Sequence, residues 1–321
     1  MTYTATDLKT YKGYTLMAID GSTLELENTI ELREVFGYAE NATTQLARAK
    51  ASGLLDVENG IMIDALIDRY DTPERELALR HMEKLKEYGL KNALLLFDRG
   101  YPSKEFIAKL INESIDFTMR VSKSFLKEVN EVKSIDEVVT FRYKDKKYRL
   151  RVIKFMLDSG EEEILVSSLM DKSFTVADFK ELYFKRWGIE VKYDELKHRL
   201  QVENFTGKTP ISVKQDFYAT IFLSNMAVLA KMQSDDEVQE RNDGKELKYE
   251  YQTNVNILVG KLKDKMVLMI MQKSDRKRER MFNKVMDEIV QNTVPIRPGR
   301  HNVRNFKKSR ARYPMNAKRS I

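Results

Sequence analysis

The sequence predicts an α/β fold, of the α+β kind, in which strands and helices occur in blocks along 321 residues. Short apolar runs that end in aspartate, at residues 14–20 and 92–98, enclose a hairpin signal and a helix signal. A β-rich segment follows them, and a mostly helical segment comes last. A chain of this length buries a sizeable core, either as one large domain with an insertion or as two smaller domains.

The first of these runs, residues 14–20, is strand-like and continues beyond Asp20-Gly21, although Asp-Gly is first of all a turn signal. Residues 44–50 are expected to form a short helix. Asn59-Gly60 lies between two apolar runs and is the strongest short-range signal of a β-hairpin.

A helix and a buried strand come next. Thr72-Pro73 begins a helix whose apolar stripe extends to Gly89. Residues 92–98 are too short and too uniformly apolar for a helix, which is typical of a central strand covered on both faces. The order of strand with Asp, hairpin, helix and strand with Asp resembles the opening of a ribonuclease-H-like domain.

Residues 103–172 differ in sequence pattern from the residues before them, because the expected strands there alternate apolar and charged residues. We interpret them as a β-rich insertion that serves as a structural platform or contacts DNA. The expected strands are residues 117–121, 138–143, 147–155 and 162–167. Beyond the insertion, the expected elements are helices at 210–232, 255–271 and 281–290 and a polar, acidic loop at 234–248.

The composition excludes several classes of protein. The chain has no cysteine and three histidines, His81, His198 and His301, which excludes disulfides and argues against a Cys/His zinc site. A reducing, cytosolic setting is expected, and the N-terminus lacks the pattern of a signal peptide. The most apolar segment, residues 217–232, is too short and too polar for a membrane span and is interpreted as a buried helix.

The net charge of +7 is concentrated at the C-terminal end. Residues 295–321 contain nine Lys and Arg and no Asp or Glu, so the rest of the chain is close to neutral. Such a run is typical of a disordered arm that binds a polyanion, and equally of a solvated tail.

Three carboxylates stand out by their context. Asp20 and Asp98 end strands, and Glu190 lies on a helix whose other face is apolar. Oxygen ligands from separate elements, without His or Cys, suit Mg²⁺ or Mn²⁺. Two such ions can activate a water or a 3′-hydroxyl and stabilise the leaving oxygen in an in-line attack on a phosphodiester.

The helix that carries Glu190 is predicted as one element from about Asp178 to Leu200, after a capping box at Thr175. An arginine fork, a lysine and a tyrosine hydroxyl beside a carboxylate can bind phosphates, whereas the alternative is a surface helix with ion pairs such as Arg186 with Glu190. The residues that share this face are Tyr183, Arg186, Glu190 and Lys197, with Asp194 as a reserve metal ligand and Trp187, just off the face, favoured as core filling over base stacking.

These residues resemble a known family. The spacing Y-x2-R-x3-E-x6-K is similar to the signature of bacterial insertion-sequence DDE transposases of the insertion sequence four family. The segments Ile19-Asp20-Gly21-Ser22 and Phe97-Asp98-Arg99-Gly100-Tyr101 resemble its two aspartate blocks. In order and spacing the match covers most of residues 14–205.

The resemblance implies a ribonuclease-H-like catalytic core with a β-rich insertion between the second Asp and the catalytic Glu. Residues 1–102 and 173–290 would form its two halves, with residues 103–172 as the insertion and 291–321 as a basic tail. Only nineteen residues precede Asp20, so the chain is expected to lack the family's N-terminal DNA-binding region.

The resemblance also implies an activity, which is metal-dependent DNA cleavage and strand transfer, the cut-and-paste transposition of an insertion sequence. Asp20, Asp98 and Glu190 would be the catalytic acids that bind two Mg²⁺ or Mn²⁺ ions. Tyr183, Arg186 and Lys197 would bind transposon-end phosphates. The implied partners are double-stranded DNA, both terminal repeats and target, and a second copy in a homodimer.

Two alternatives remain open at this point. The chain could be a stand-alone nuclease of the same fold, which cuts DNA without joining 3′ ends to a target. It could also be a truncated or recruited transposase remnant that binds DNA without needing its acids.

Overall fold

The computed structural model describes residues 8–40, 44–90 and 92–297, and its largest feature is a mixed β-sheet of nine strands within those residues. Its strand order is β2-β3-β1-β5-β6-β9-β8-β7, with β4 paired to β3. The strands are β1 (Thr15–Glu25), β2 (Tyr38–Glu40), β3 (Gln45–Asp56), β4 (Ile61–Arg69), β5 (Ala93–Phe97), β6 (Asp116–Val121), β7 (Asp136–Tyr143), β8 (Lys146–Met156) and β9 (Glu162–Ser167).

Helices cover both faces of this sheet, and a small ribbon of β10 (Tyr251–Thr253) and β11 (Thr293–Pro295) lies beside them. The helices are α1 (Ile30–Phe36), α2 (Glu74–Glu87), α3 (Lys104–Asn112), α4 (Lys127–Asn130), α5 (Val176–Lys185), α6 (Gly188–Asp194), α7 (Pro210–Asn242), α8 (Val255–Met271) and α9 (Asp275–Val290). A π-helical turn, Glu195–Arg199, continues α6.

The two central strands, β1 and β5, explain why both faces need cover. Successive residues of a strand point to opposite faces, and both kinds of position are apolar here. Leu16 and Ala18 enter one core together with α1 and α5 to α9, whereas Met17 and Ile19 enter a second core with α2 to α4. This mixed sheet between two helical layers confirms the predicted α/β fold class.

The predictions of a hairpin and of strands are confirmed where they were based on turn residues or on continuous apolar runs. Strands β3 and β4 flank Asn59-Gly60, and Gly60 has a φ of 69°, a conformation that glycine adopts without strain. The four strands expected within 103–172 are also present, as β6 to β9.

The expected insertion extends the core sheet. Strand β6 pairs in parallel with β5, and β9, β8 and β7 then add antiparallel strands at the same edge. The division of the chain at residues 102, 172 and 290 stays a prediction. Residues 298–321, which hold most of the predicted basic tail, lie outside the described residues.

Predictions of local structure were wrong at residues 44–50 and at residues 234–248. Residues 44–50 lie largely in β3, because Ala47 and Ala49 alternate into the core and the strand pairs with β1, which overrides the helix propensity of alanine. The expected loop at 234–248 is partly helical, since α7 extends to Asn242. Asp235 in this stretch accepts a hydrogen bond from the Thr253 amide of β10 at 2.8 Å.

Asp20-Gly21 does not form a turn, because both residues pair with β3 inside β1. Residues 217–232 form part of the long helix α7, as the interpretation of a buried helix requires. Among the helices of the described residues, none combines the length and the apolar character that crossing a bilayer requires.

Arg151 on β8 joins the outer strands to the segment that leads into α5. Its buried guanidinium donates to both carboxylate oxygens of Asp136, at 2.8 and 2.6 Å, and to the carbonyl oxygens of Asp171 and Phe174, each at 2.7 Å. A cation with four satisfied contacts is costly to remove, because its partners are left without a donor.

We therefore expect Arg151→Met to lower the free energy of unfolding by about 3 kcal/mol. Arg149→Met, on the same strand but exposed, should change it by less than about 0.5 kcal/mol. Urea unfolding followed by circular dichroism measures both variants. Equal effects of the two substitutions would show that the contacts of Arg151 do not stabilise the fold.

Candidate active site

The two candidate aspartates are brought together by the parallel pairing of β1 with β5. Ala18 pairs with Leu96, so Asp20 and Asp98 each lie two residues beyond a paired position, at the same end of neighbouring strands. Each carboxylate is held by a backbone amide: Asp20 Oδ1 accepts from Gly21 N, and Asp98 Oδ1 from Gly100 N, both at 2.8 Å.

Asp20 lies in an environment that disfavours its charge. Its pKa is raised to about 6, mainly because the carboxyl is buried, and the negative charges of Asp98 and Glu74 raise it further. The Gly21 amide and the Arg186 guanidinium lower the pKa, but they do not cancel the effect of burial. The acids are therefore close enough to repel one another.

Glu190, in the first turn of α6, is connected to this site by Arg186, which contacts both Glu190 and Asp20. Arg186 Nη2 donates to Glu190 Oε1 at 2.7 Å, and Arg186 Nη1 lies 4.0 Å from Asp20 Oδ2. The Arg186 side chain is 8% exposed, whereas that of Glu190 is 46% exposed. The ion pair that the sequence allowed as an alternative thus forms, and the same guanidinium also faces Asp20.

The helix that carries these residues is not the single element that the sequence predicts. The capping box at Thr175 is confirmed, but regular α-helical bonding is interrupted at Arg186 and Trp187. The Trp187 amide donates to the carbonyl three residues before it, as does the Ile189 amide, so the chain tightens there. The π-helical turn Glu195–Arg199 then widens it. Helical angles summed along the sequence consequently do not hold from Tyr183 to Lys197.

The other two residues of the predicted face lie apart from the acids. Tyr183 is buried, with its ring edge-on to Phe155 and the Arg120 guanidinium 5.6 Å from its centroid. Lys197 Nζ donates to the Thr23 carbonyl of β1 at 2.6 Å and lies 3.7 Å from Glu203 Oε1. The structure therefore brings Arg186 and Glu190 to the aspartates, Lys197 to the far part of β1, and Tyr183 into the core.

Two secondary assignments can also be located. Asp194, the reserve ligand, is 63% exposed and lies 3.3 Å from His198 Nε2. Trp187 is 47% exposed, so the prediction that it fills the core was wrong. The Arg186 guanidinium lies 5.9 Å from the centroid of its ring.

Three residues that surround the aspartates are not apparent as site residues from the sequence. Glu74 begins α2 and acts on the pKa of Asp20. Tyr193 donates from its hydroxyl to the Asp20 carbonyl at 3.1 Å, and Tyr101 is fully buried beside the acids. Glu74 was hidden by its position, since an acid in the first turn of a helix is ordinarily explained by the helix dipole.

The donor chemistry of the site fits a divalent cation of the magnesium type. Asp20 and Asp98 supply hard oxygens, and the repulsion that raises the pKa of Asp20 is of the kind that a bound cation relieves. The ligand set is not closed in this conformation, because Glu190 pairs with Arg186. Across residues 8–40, 44–90 and 92–297, no three acidic or histidine side chains already stand in ligating geometry.

Comparisons with known proteins give one family and a few structural likenesses. Residues 11–226 match the family model of the transposase DDE domain. The fold is similar to a piggyBac transposase in a synaptic complex with hairpin DNA, with a TM-score of 0.48 and 11% identity. It is also similar to Marinitoga piezophila Argonaute bound to a 5′ OH guide RNA and target DNA, with a TM-score of 0.22 and 10% identity. Comparison with curated proteins finds no match.

The structural likenesses cover unequal shares of the molecules. The piggyBac superposition includes 92% of this chain and 60% of that chain, and the Argonaute superposition 53% and 25%. Both TM-scores are below 0.5, so neither likeness bears on the function of this chain. The family match is different in kind, because its span contains Asp20, Asp98 and Glu190.

The raised pKa of Asp20 has a measurable consequence for stability. Between pH 3.8 and about 6 the folded state retains a proton that the unfolded state has lost, so the free energy of unfolding falls as pH rises through this window. Asparagine keeps the acceptor for Gly21 but carries no charge. We expect Asp20→Asn to stabilise the cation-free protein by roughly 3 kcal/mol above pH 7 and to have no effect below pH 4.

Urea unfolding in chelator-treated buffer at pH 4 and pH 8 measures this difference. Asp236→Asn, an exposed residue of α7, serves as the control and should behave like the wild type at both values. A stabilisation by Asp20→Asn that is the same at both pH values would contradict the environment described for this carboxyl.

Proposed function

Because the model of the transposase DDE domain matches two thirds of its residues, the chain belongs to that family, and we propose that it catalyses cation-dependent DNA cleavage and strand transfer. The observation that carries this proposal is the pair Asp20 and Asp98, side by side on parallel strands with Glu190 one arginine away. We further propose that the chain belongs to the insertion sequence four family and carries out cut-and-paste transposition. The spacing of Tyr183, Arg186, Glu190 and Lys197 supports this finer proposal.

The proposed catalytic acids are Asp20, Asp98 and Glu190. Bound Mg²⁺ or Mn²⁺, as two ions, would activate the attacking oxygen and stabilise the leaving oxygen at a phosphodiester. The chain's own contribution is to hold the acids still: the Gly21 and Gly100 amides fix two carboxylates, and Tyr193 fixes the backbone of β1.

Arg186 is proposed to bind phosphate in exchange for Glu190. Its guanidinium is nearly buried, and no hydrogen-bond partner for its Nε exists within the described residues. The planar Arg186 guanidinium can bind a phosphate through two N–H groups, and one of its donors, Nε, has no partner in the described part of the chain. A phosphate would take the place of the Glu190 carboxylate and release Glu190 towards the aspartates. Binding of DNA would in this way complete the acidic site.

The proposed partners are double-stranded DNA, comprising the terminal repeats and a target, and a second copy of the chain in a homodimer. Lys197 would supply a point charge to the DNA backbone beside β1. Tyr183 is buried, so we assign it the support of Arg120 and the helix rather than a first contact with phosphate.

We expect Asp20→Asn, Asp98→Asn and Glu190→Gln each to reduce Mg²⁺-dependent cleavage of DNA carrying the element's ends by at least about 100-fold, because each removes an oxygen ligand. Single-turnover assays on labelled duplex DNA measure cleavage and joining to a target separately. Cleavage without any joining would support the nuclease alternative instead.

The matched controls for these variants are Asp236→Asn and Glu240→Gln, two exposed carboxylates of α7. They should cleave at the wild-type rate. Activity that survives all three changes at the proposed acids, in variants that remain folded, would rule out this function.

Lys197→Gln should weaken DNA binding across all sequences and reduce the slope of log K against log salt by about 0.9, the value for one phosphate contact. Lys263→Gln, on the exposed side of α8, is the control. Fluorescence anisotropy over a salt series gives both slopes. An unchanged slope for Lys197→Gln would mean that Thr23 and Glu203 keep its ammonium from the DNA.

A further inference from the structure

Glu74 is an acid of the site that the family signature does not assign. It is the first residue of α2, which begins where the chain leaves the β3–β4 hairpin. A β-carbon placed on Gly21 would lie 2.9 Å from Glu74 Oε1, and one on Gly100 would lie 3.7 Å from Glu74 Oε2. The carboxylate of Glu74 therefore lies against the two glycines that follow Asp20 and Asp98.

Asp98 shares this space with Glu74. The same β-carbon on Gly100 would lie 3.1 Å from Asp98 Oδ1, so both carboxylates approach one point on the backbone. The two glycines matter because any side chain at Gly21 would occupy the position of the Glu74 carboxylate. Glycine, which has no side chain, therefore occupies the two backbone positions where these carboxylates come together.

A second, independent observation comes from Tyr101. Its side chain is fully buried, and within the described residues its hydroxyl has no hydrogen-bond partner. The pKa of this hydroxyl is raised by burial first, and then by the negative charges of Asp20, Glu74 and Asp98. The unpaired hydroxyl is thus within electrostatic range of all three acids, and a buried hydroxyl without a partner is costly unless a ligand supplies one.

The ordinary explanation of Glu74 is an ion pair. Lys50 Nζ lies 3.4 Å from Glu74 Oε1, and the side chains are 18% and 36% exposed. A pair of this length accounts for one oxygen of Glu74 and for no part of the Tyr101 hydroxyl. Among the described residues, Asp20 forms an ion pair only with Arg186, whose Nη1 is 4.0 Å from Asp20 Oδ2, and Asp98 forms none.

We propose that Glu74 is a cation-binding carboxylate of the site and acts there together with Asp20 and Asp98. This inference rests on the proposed function, because it assigns a further ligand to the same cation site. The ligand class is a divalent cation that prefers oxygen donors, Mg²⁺ or Mn²⁺. Because these three acids do not stand in ligating geometry in the described conformation, we expect their side chains to close around the cation when it binds, while Glu190 stays with Arg186.

The test is Mn²⁺ binding to the full chain without DNA, measured by titration calorimetry and by electron paramagnetic resonance of free Mn²⁺. Glu74→Gln should weaken the affinity about 10- to 100-fold. Glu76→Gln, an exposed acid in the same first turn of α2, should bind like the wild type. Lys50→Gln should bind equally well or more tightly, because it removes a competing positive charge.

Glu190→Gln should change the affinity less than about threefold in the absence of DNA, since its carboxylate is held by Arg186. Thermal melts followed by circular dichroism establish that each variant is folded, and the isosteric amides make folding defects small. Weak binding by Glu74→Gln beside normal binding by Glu76→Gln supports the inference.

The outcomes separate this inference from the proposed function. If Asp98→Asn abolishes Mn²⁺ binding and Glu74→Gln does not alter it, the role of Glu74 is refuted and the proposed function stands. If Lys50→Gln weakens binding as much as Glu74→Gln does, Glu74 acts only through its ion pair and the inference fails. If the wild-type chain binds no Mn²⁺, the inference and the cation-dependent function fall together.

Discussion

The parallel pairing of β1 with β5 is the constraint on which the candidate site depends. It aligns Ala18 with Leu96 and thereby places two aspartates at the same end of neighbouring strands. The charge of Asp20 is disfavoured in this position, since burial and the negative charge of Asp98 raise its pKa. The apolar residues of both strands are buried on two faces, and their packing stabilises an arrangement that the acids alone oppose.

Arg186 links the pair of aspartates, Asp20 and Asp98, to the helical layer. One guanidinium faces both Asp20 and Glu190, so the third acid is kept near the site without joining it. Arg186 and Trp187 lie between α5 and α6, and the ion pair of Arg186 with Glu190 spans this break in regular helix. A phosphate that competes for Arg186 would connect substrate binding to assembly of the acids, and unproductive cleavage would be limited in its absence.

The sequence was sufficient for features set by local chemistry and insufficient for those set by tertiary packing. Asn59-Gly60 specifies a hairpin by itself, and the apolar run before Asp98 specifies a buried strand. In contrast, the alanines of β3 favour helix until the core imposes alternation. The spacing of the signature helix pointed to Glu190 and Arg186, but a uniform helical period cannot reveal the break at residue 186. The role of Glu74 appears only when α2 is packed against Gly21 and Gly100.

The most direct test of this account is a crystal structure of the chain with a DNA end and Mn²⁺, phased on the anomalous signal of manganese. We expect anomalous density between Asp20 and Asp98, with a DNA phosphate on Arg186 and Glu190 turned towards the metal. Density elsewhere, or none at these acids while Glu190 remains on Arg186 beside bound DNA, would contradict it.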